Sequence, residues 1–209
     1  MKKLLIALLF VCNSALASEC ADLYPDSKPI IVKDTVELCN SFFVSLFDKE
    51  HNRVILVSEH LKPNKETVKR ADAFHSDPRI GKDPSPKQYV GTGYDKGHMA
   101  PAGDASNDKE MFETFVMTNM TPQKPMLNRV SWRVLEESTR SLLSKSKSDM
   151  FVITIAVYDN NEKMGTIPIP TGYWKIVMVD NTTHYYYADN KDYEAVVEKQ
   201  NVDITTLLP

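Results

Sequence analysis

The most informative stretch of this chain reads GYDKGHMAP and spans residues 93–101. It places His98 directly after a glycine and close to the charged residues Asp95 and Lys96. A histidine with an ordinary pKa of about 6.5 can accept a proton at neutral pH, which makes His98 a candidate general base. A purely structural histidine is the commoner alternative. The other four histidines lie outside any comparable motif and receive no predicted role.

A second polar stretch, TNMTPQKPMLN over residues 118–128, leads into the clearest predicted helix, residues 126–145. Four residues of this helix recur at intervals of four: Asn128, Trp132, Glu136 and Arg140. Four residues advance about 400° at 3.6 residues per turn, so these side chains are predicted to share one face. The alternative is a solvated face with an ordinary Glu136–Arg140 ion pair. A separate apolar stripe is predicted from Leu127, Val130, Val134, Leu135, Ser138 and Leu142.

The remaining pattern predicts an α+β fold with a central, mainly antiparallel sheet flanked by helices. A hairpin is predicted from residues 41–47 and 53–57, and helices are predicted at 108–115, with an Asp cap, and at 191–200. Further strands are predicted at 150–157, 173–179 and 183–188, with a turn at Asp180-Asn181. The polar segment 61–94 is too long for a simple connection, which indicates a functional loop.

The composition bounds the class of protein. Hydrophobic residues make up 42% and charged residues 25% of the chain, as in ordinary globular proteins. The net charge of −3 argues against a protein that coats nucleic acid through bulk positive charge. The charge is uneven, however. Residues 61–98 carry 8 basic and 5 acidic residues, and residues 124–148 carry 6 and 2, which predicts a shared anion-binding groove around the two motifs.

Residues 1–17 have the order of a secretory signal peptide: two lysines, an apolar stretch and a small-residue ALA sequence. The apolar stretch is too short for the alternative, a membrane anchor. Cleavage would change the net charge from −3 to −5, because this segment contains two lysines and no acidic residue. It would leave residues 18–209 as a single predicted domain. It would also leave Cys20 and Cys39, an even pair that predicts one disulfide in an exported protein, with two buried thiols as the alternative.

The two motifs together resemble the DNA/RNA non-specific endonuclease family, whose active site is a ββα-metal finger. The family pattern is a DRGH tetrapeptide, a downstream (T/S)N-x-TPQ, and then an LN, a W, an LE and an Arg on one helix. This chain has DKGH, TNMTPQ, LN, W, LE and Arg140 in the same order and at the family's spacing. The loop around Arg70 and the segment IPIPTGYWK at 167–175 are also similar, so the resemblance covers about residues 39–180.

The resemblance implies roles for the matched residues in hydrolysis. His98 would take a proton from the attacking water. Asn128 would be the sole direct protein ligand of Mg²⁺, with Mn²⁺ or another divalent cation as alternatives. Glu136 would hold a water molecule of the metal ion. Arg70 and Arg140 would grip phosphate oxygens and the transition state, a task that suits the planar guanidinium.

Three further residues have implied supporting roles. Asn119 would orient the site near His98, and Asp95 would brace the finger, although either could be a plain turn or strand-end residue. Lys96 stands where the family usually has an arginine. A lysine keeps the charge but loses the bidentate geometry, so the resemblance implies a weaker activity or an altered phosphate preference.

The implied function is that of a Mg²⁺-dependent endonuclease, secreted or periplasmic, that hydrolyses DNA and RNA with little sequence preference. DNA and RNA are therefore the expected partners. A membrane is not expected as a partner after signal cleavage, and an inhibitor protein is a further candidate. The alternatives are a catalytically weakened nucleic-acid-binding module of the same fold and a phosphodiesterase acting on small substrates. The presence of the candidate base His98 favours the enzyme over the binding module.

Overall fold

The computed structural model describes residues 18–63, 66–82, 84–200 and 202–208. The predicted signal peptide, residues 1–17, lies outside the described residues. Within the described ranges, no helix has the length and apolar character needed to cross a membrane.

A seven-stranded antiparallel sheet forms the centre of the fold. The strands of the described chain are β1 (Val36–Cys39), β2 (Phe43–Asp48), β3 (Arg53–Leu61), β4 (Asp95–His98), β5 (Met120–Gln123), β6 (Met150–Val157), β7 (Lys163–Met164), β8 (Ile167–Pro168), β9 (Gly172–Val179), β10 (Thr182–Asp189) and β11 (Val197–Lys199). The sheet order is β1-β2-β3-β6-β9-β10-β11, and β4–β5 and β7–β8 form two separate ribbons. The prediction of an α+β fold around a mainly antiparallel sheet is confirmed.

The predicted hairpin corresponds to β2 and β3, and the three later predicted strands correspond to β6, β9 and β10. The turn at Asp180-Asn181 is also confirmed, with φ of 48° and 60°. This is the left-handed conformation that a tight hairpin turn requires. The predicted helix at 191–200 is wrong. This segment contains β11, which pairs with β10, and Tyr193 has a φ of 62° that a right-handed helix cannot contain.

Two α-helices lie in the described chain, α1 (Asp108–Thr114) and α2 (Arg133–Lys145), and a π-helical turn (Leu127–Trp132) leads directly into α2. The prediction of α1 is confirmed except for its cap. Asn107 caps the helix instead of an aspartate, and its side chain accepts a hydrogen bond from the Glu110 backbone at 3.0 Å. Short 3₁₀ turns occur at Ala21–Leu23, Pro25–Ser27, Pro86–Tyr89, Ala102–Asp104, Met117–Asn119 and Ile204–Leu207.

The π-helical turn changes which side chains of the long helix are buried. The predicted stripe is wrong at Val130 and Val134, which are 43% and 51% exposed, and at Ser138, which is also exposed. The reason is that a π turn adds one residue to a helical turn and so shifts the inward-facing positions that follow it. The side chains buried along this segment are those of Leu127, Trp132, Leu135, Thr139 and Leu143.

Hydrophobic cores lie on both faces of the central sheet. On one face, sheet residues such as Val152 and Val177 join a large cluster with Trp132 and Leu135 of the long helical segment. On the opposite face, the sheet packs against the N-terminal arm and the C-terminal tail through residues such as Val32. Burial on both faces explains why β6 is almost continuously apolar and why β3, which also contains polar residues, is buried over most of its length.

A disulfide joins Cys20 of the N-terminal arm to Cys39 at the end of β1, as predicted. The arm is further tied to this strand by Glu37, whose carboxylate accepts hydrogen bonds from Tyr24 at 2.8 Å and from Ser18 at 2.5 Å. The disulfide therefore closes a short loop that holds the arm against the edge strand of the sheet.

Candidate active site

A ββα unit made of β4, β5 and the long helical segment carries the two sequence motifs. β4 and β5 pair so that Asp95 lies opposite Gln123 and His98 lies opposite Met120. Gly97 in the middle of the DKGH motif is required by this pairing, because a Cβ there would lie 2.6 Å from the Cβ of Gln123. The glycine lets the two strands approach, and their pairing fixes His98 at the end of β4.

The ββα unit opens into a cleft of about 380 Å³. Six residues that the sequence singled out line its wall: Arg70, Lys96, His98, Asn128, Glu136 and Arg140. The structure therefore brings together side chains from the long loop, from β4 and from the helix, which are far apart in the sequence. Asp95 and Asn119, the other two predicted site residues, do not line the cleft. Asp95 accepts a hydrogen bond from Asn128, which does line it, and Asn119 binds the backbone of Ala100, two residues after His98.

His98 packs into an aromatic environment at the base of the cleft. Its ring lies 5.0 Å from the Phe115 ring in an edge-on arrangement and 5.8 Å from the Phe74 ring. Its Nε2 is buried without a hydrogen-bond partner among the described residues. Burial, helped by the positive charge of Arg70, lowers the pKa of His98 from 6.5 to about 3. The imidazole is therefore neutral over the physiological pH range and has a nitrogen lone pair free to accept a proton.

Asn119 is completely buried, and its side chain binds the backbone around His98. Its Oδ1 accepts a hydrogen bond from the Ala100 backbone at 2.8 Å, and its Nδ2 donates to the carbonyls of Ala100 and Thr114 at 2.9 and 2.8 Å. The side chain thus clamps the segment that follows His98 to the end of α1. This geometry suits a residue that positions His98 rather than one that touches a ligand in the cleft.

Asp95 anchors the start of the helical segment to the finger. It accepts hydrogen bonds from Asn128 Nδ2 at 2.9 Å and from Arg129 Nε at 2.7 Å. Burial alone would raise the pKa of Asp95, but the hydrogen bonds from Arg129 and Asn128 outweigh it and lower the pKa. Asp95 is therefore ionised, and its bond to Nδ2 fixes the amide so that Oδ1 of Asn128 is the group left for a ligand in the cleft.

Glu136 is, with Glu137, one of two carboxylate residues that line the cleft. Burial is the largest influence on its carboxyl group and raises its pKa from 4.5 to about 7, while Lys175 opposes the rise and Asp104 adds to it. Lys175 lies in the core beneath the cleft, where its Nζ donates to Thr154 at 2.9 Å and lies 5.4 Å from the Trp132 ring. The raised pKa means that the neighbouring cations do not fully compensate the negative charge of Glu136 in the folded protein.

The two arginines predicted to grip phosphate are held in different ways. Arg140 donates to the buried Asp104 at 3.2 Å, and its guanidinium passes so close to Gly103 that a Cβ there would lie 2.8 Å from Nη1. Arg70 is 54% exposed, pairs with the exposed Asp72 at 2.9 Å and lies over the Phe115 ring. Arg140 is thus a fixed group in the wall, whereas Arg70 can move toward a ligand.

Lys96, which replaces the usual arginine of the family motif, points its ammonium group at aromatic rings. Its Nζ lies 4.6 Å from the centre of the Phe74 ring and 5.7 Å from that of Tyr89. Cation–π contacts of this kind are electrostatically favourable and hold the lysine side chain along the cleft wall. The charge of the motif is therefore retained near His98, without the fork of a guanidinium.

The long loop is anchored to the finger by an ion pair whose carboxylate, Asp77, is buried. Asp77 accepts hydrogen bonds from Arg79 at 2.7 Å and from Thr118 at 2.7 Å, next to Asn119. Burial would raise the pKa of Asp77, but these hydrogen bonds outweigh it and lower the pKa. Arg79 also donates to the carbonyl of Cys39 at 2.6 Å, so the loop that supplies Arg70 is tied both to the finger and to the disulfide-bonded strand.

Three functional candidates were missed from the sequence. Arg129 and Arg133 line the cleft and pair with Asp95 and Glu137 respectively. Both belong to the basic segment 124–148. Its excess of basic residues predicted an anion-binding groove but did not identify these two arginines individually. Lys175 was visible in the YWK sequence of the late strand, yet nothing in the sequence indicated that it points into the core beneath the helix.

Two other features of the described residues do not compete with this cleft. A larger cavity of about 740 Å³ has Asp104 in its wall, but it is also lined by Asp22, Glu66 and Glu110. These carboxylates would repel a phosphate. The one described cluster of three His, Cys, Asp or Glu ligands consists of Cys20, Glu37 and Cys39, and its two sulfurs are bonded to each other. The cleft is thus the place where the predicted residues, basic charge and a neutral imidazole coincide.

Several known nucleases are similar to parts of this chain in sequence. A nuclease of Nostoc sp. is 40% identical over 96 residues, which cover 46% of this chain and 35% of the relative. The nuclease of Serratia marcescens is 29% identical over 116 residues, which cover 48% of this chain and 43% of the relative. Human mitochondrial endonuclease G is 40% identical over 67 residues, which cover 32% of this chain and 22% of the relative. The matches thus span less than half the length of these curated relatives.

The fold is also that of a solved structure. A chain in the crystal structure of the EndoG/EndoGI complex superposes with a TM-score of 0.67, covering 94% of this chain and 87% of that chain at 24% identity. At this identity the likeness shows the fold alone. The family model described as DNA/RNA non-specific endonuclease matches residues 21–207, which is nearly the whole described chain. The chain therefore belongs to the DNA/RNA non-specific endonuclease family.

Proposed function

We propose that this protein is a metal-dependent endonuclease that hydrolyses phosphodiester bonds of DNA and RNA with little sequence preference. The observation that carries the proposal is the neutral imidazole of His98, which lines a cleft together with four arginines. A nucleic-acid-binding module needs the arginines but has no use for a desolvated imidazole base. The groups that line the cleft suit phosphate rather than base edges, which supports a lack of sequence preference.

The residues of the cleft fit a divalent cation, for which Mg²⁺ is our first choice. Oδ1 of Asn128 is a hard, neutral oxygen whose direction is fixed through Asp95, and Mg²⁺ binds such oxygens while keeping several waters. Glu136 has a pKa of about 7 because its charge is buried, and a nearby cation would compensate that charge. When bound, the cation would supply positive charge at the phosphoryl group and at the departing oxygen.

The residues of the chain then have distinct tasks. His98 takes a proton from the attacking water, and Asn119 keeps the backbone beside the imidazole ring in place. Arg140, held by Asp104, presents positive charge to the phosphate from the wall of the cleft. Arg70 leaves its exposed ion pair with Asp72 to bind a phosphate oxygen. The negative charge of the bound phosphate raises the pKa of His98, which makes it a stronger base.

We also infer export to the periplasm or the medium. The inference rests on the signal-like order of residues 1–17 and on the disulfide between Cys20 and Cys39, which oxidising compartments favour. Relatives from yeast and human carry the name mitochondrial, so the family occurs in more than one compartment. An inhibitor protein stays a candidate partner, because the neighbour of the same fold was solved in the EndoG/EndoGI complex.

The test is a digest of supercoiled plasmid, single-stranded DNA and RNA by the chain from residue 18, with Mg²⁺ or with a chelator. We expect cleavage of all three substrates with Mg²⁺ and none with the chelator. His98→Ala should lose roughly a hundredfold or more in rate, as removal of a general base does. His184→Ala is the matched control, because His184 pairs with Glu198 at the sheet edge and should leave the rate unchanged.

Metal binding needs a second readout. The melting temperature of the wild-type protein should rise with Mg²⁺. This rise should be lost in Asn128→Ala but kept in Asn160→Ala, a change at an exposed asparagine on the loop after β6. Cleavage that persists in the chelator would exclude the metal mechanism. Tight binding of all three nucleic acids without any cleavage would instead favour the catalytically weakened binding module.

A further inference from the structure

An exposed aromatic pair lies beside the cleft and has no part in the chemistry described above. Phe112 on α1 is 53% exposed, although most of the described phenylalanine side chains are buried. Its ring stacks on the ring of His75, with centroids 4.1 Å apart and planes inclined by 10°. Single exposed apolar residues are common on protein surfaces. Two parallel rings that stack at the surface are a more specific feature.

The pair is held rigidly by the backbone. His75 donates its backbone N–H to the carbonyl of Phe115 at 3.2 Å, and its own carbonyl accepts from Met117 at 2.9 Å. Its Nδ1 lies 2.8 Å from the carbonyl oxygen of Ala73, which fixes the orientation of the ring. The two rings therefore form a preorganised platform, which we call the Phe112–His75 platform, and a ligand would not have to order it on binding.

The platform lies outside the lining of the cleft and is connected to it through the buried ring of Phe115. Phe112 precedes Phe115 by one helical turn, and Phe115 contacts the rings of both His98 and Phe74 at 5.0 and 4.9 Å. Arg70, the candidate phosphate-binding residue at the cleft edge, lies with its guanidinium 5.0 Å from the same Phe115 ring. The platform thus lies about one helical turn from Phe115, the ring that contacts both the candidate base and the exposed Arg70.

We propose that the Phe112–His75 platform is a subsite that stacks an unpaired nucleobase of the substrate, next to the phosphate bound by Arg70. The proposal rests on the proposed nuclease function and adds a preference to it. Every base has a π-face, so stacking on an aromatic ring is independent of sequence. Bases of a duplex are already stacked on their neighbours, whereas those of single-stranded DNA or RNA are free to leave the strand. The platform therefore favours single strands over duplex.

The test compares four variants on a single-stranded oligonucleotide and on a duplex of the same sequence. Phe112→Ala and Phe112→Leu remove the ring, Phe112→Tyr keeps it, and Ile31→Ala removes an exposed apolar side chain of the N-terminal arm as the matched control. We expect the ratio of the single-strand KM to the duplex KM to rise about tenfold in the Ala and Leu variants. The Tyr variant and the control should keep the wild-type ratio. Circular dichroism should be the same for all variants, since Phe112 is exposed.

An abasic oligonucleotide gives the decisive comparison. The wild-type protein should bind an oligonucleotide that lacks the stacking base as weakly as the Phe112→Leu variant binds the complete oligonucleotide. The Phe112→Leu variant should bind the abasic and the complete oligonucleotides equally well. Binding is measured by fluorescence anisotropy in the His98→Ala background, so it can be read even if the protein proves not to cleave. If binding prefers single strands in a Phe112-dependent way but the protein with His98 intact cleaves no substrate, the nuclease proposal is refuted and the subsite is retained.

Three outcomes would overturn the subsite. The first is an equal KM increase for single-stranded and duplex substrates, which would indicate general damage to the cleft. The second is a Phe112→Leu variant that behaves like wild type, which would show that the site needs an apolar group and not a ring. The third is unaltered oligonucleotide binding together with a change in oligomeric state, which would identify the platform as a protein–protein contact.

Discussion

Replacing Glu136 by glutamine should make the metal-free protein more stable at alkaline pH. Glu136 is a carboxyl group in the wall of the cleft whose pKa is raised by burial from 4.5 to about 7. An unfolded chain ionises this group near its ordinary value, so the folded state becomes less stable as the pH rises from 4.5 through 7. At about 1.4 kcal/mol for each tenfold change in proton affinity, the ionised carboxylate costs the folded protein roughly 3 kcal/mol above pH 7. Glutamine has nearly the same shape and no charge, so it avoids this cost.

The assay is urea unfolding of both proteins with a chelator at pH 8 and at pH 4. We expect the variant to be more stable by roughly 3 kcal/mol at pH 8 and by almost nothing at pH 4, where wild-type Glu136 is protonated in both states. Glu137→Gln is the matched control, because the Glu137 side chain is 51% exposed. Its surface ion pair with Arg133 therefore contributes little. An equal gain at both pH values would refute the reasoning, since it would arise from packing and not from charge.

The same pair of proteins reports on the cation. Mg²⁺ bound beside Glu136 would compensate the buried charge, so adding it at pH 8 should stabilise the wild-type protein more than the variant and reduce the difference between them. A difference that stays constant over the whole Mg²⁺ titration would show that no cation binds near this carboxylate.

Three further changes probe the framework of the site. Cys39→Ser opens a disulfide between residues 19 positions apart and should lower the free energy of unfolding by about 3 kcal/mol in urea; an unchanged midpoint would contradict this. Gly103→Ala places a Cβ 2.8 Å from Nη1 of Arg140. It should lower kcat roughly tenfold to a hundredfold while the melting temperature hardly changes, and wild-type kcat would show that Arg140 can move without loss. Lys175→Met removes the buried cation that lowers the pKa of Glu136, so the acid limb of the pH–rate profile should move to higher pH; an unmoved limb would count against that coupling.

The motif residues could be predicted because their positions are set locally. Asp95 and His98 lie on one short strand, and Asn128, Glu136 and Arg140 lie on one helical segment, so spacing alone brings them near each other once β4 and β5 pair. The strands of the large sheet could be predicted for a similar reason. Their apolar and β-branched runs are strong, and burial on both faces requires such runs.

The errors came from interactions that spacing does not contain. The apolar stripe failed at Val130 and Val134 because a single π turn changes the helical register, and no residue type marks such a turn. The helix predicted at 191–200 failed because pairing with β10 overrode a weak local preference. Lys175 was missed because a lysine on a strand normally points to solvent, and its burial depends on Thr154 and Trp132 from two other elements.

The π-helical turn at Leu127–Trp132 also limits how this sequence can change over generations. It separates Asn128, near the start of the turn, from Glu136 in the regular helix beyond it. Deleting one residue between them would convert the turn to plain α-helix and rotate the two side chains relative to each other by about 100°. The same rotation would disturb the packing of Trp132 on Tyr173 in the core. Length variation should therefore be absent from this segment among active descendants of the chain, even where single substitutions on its exposed side accumulate freely.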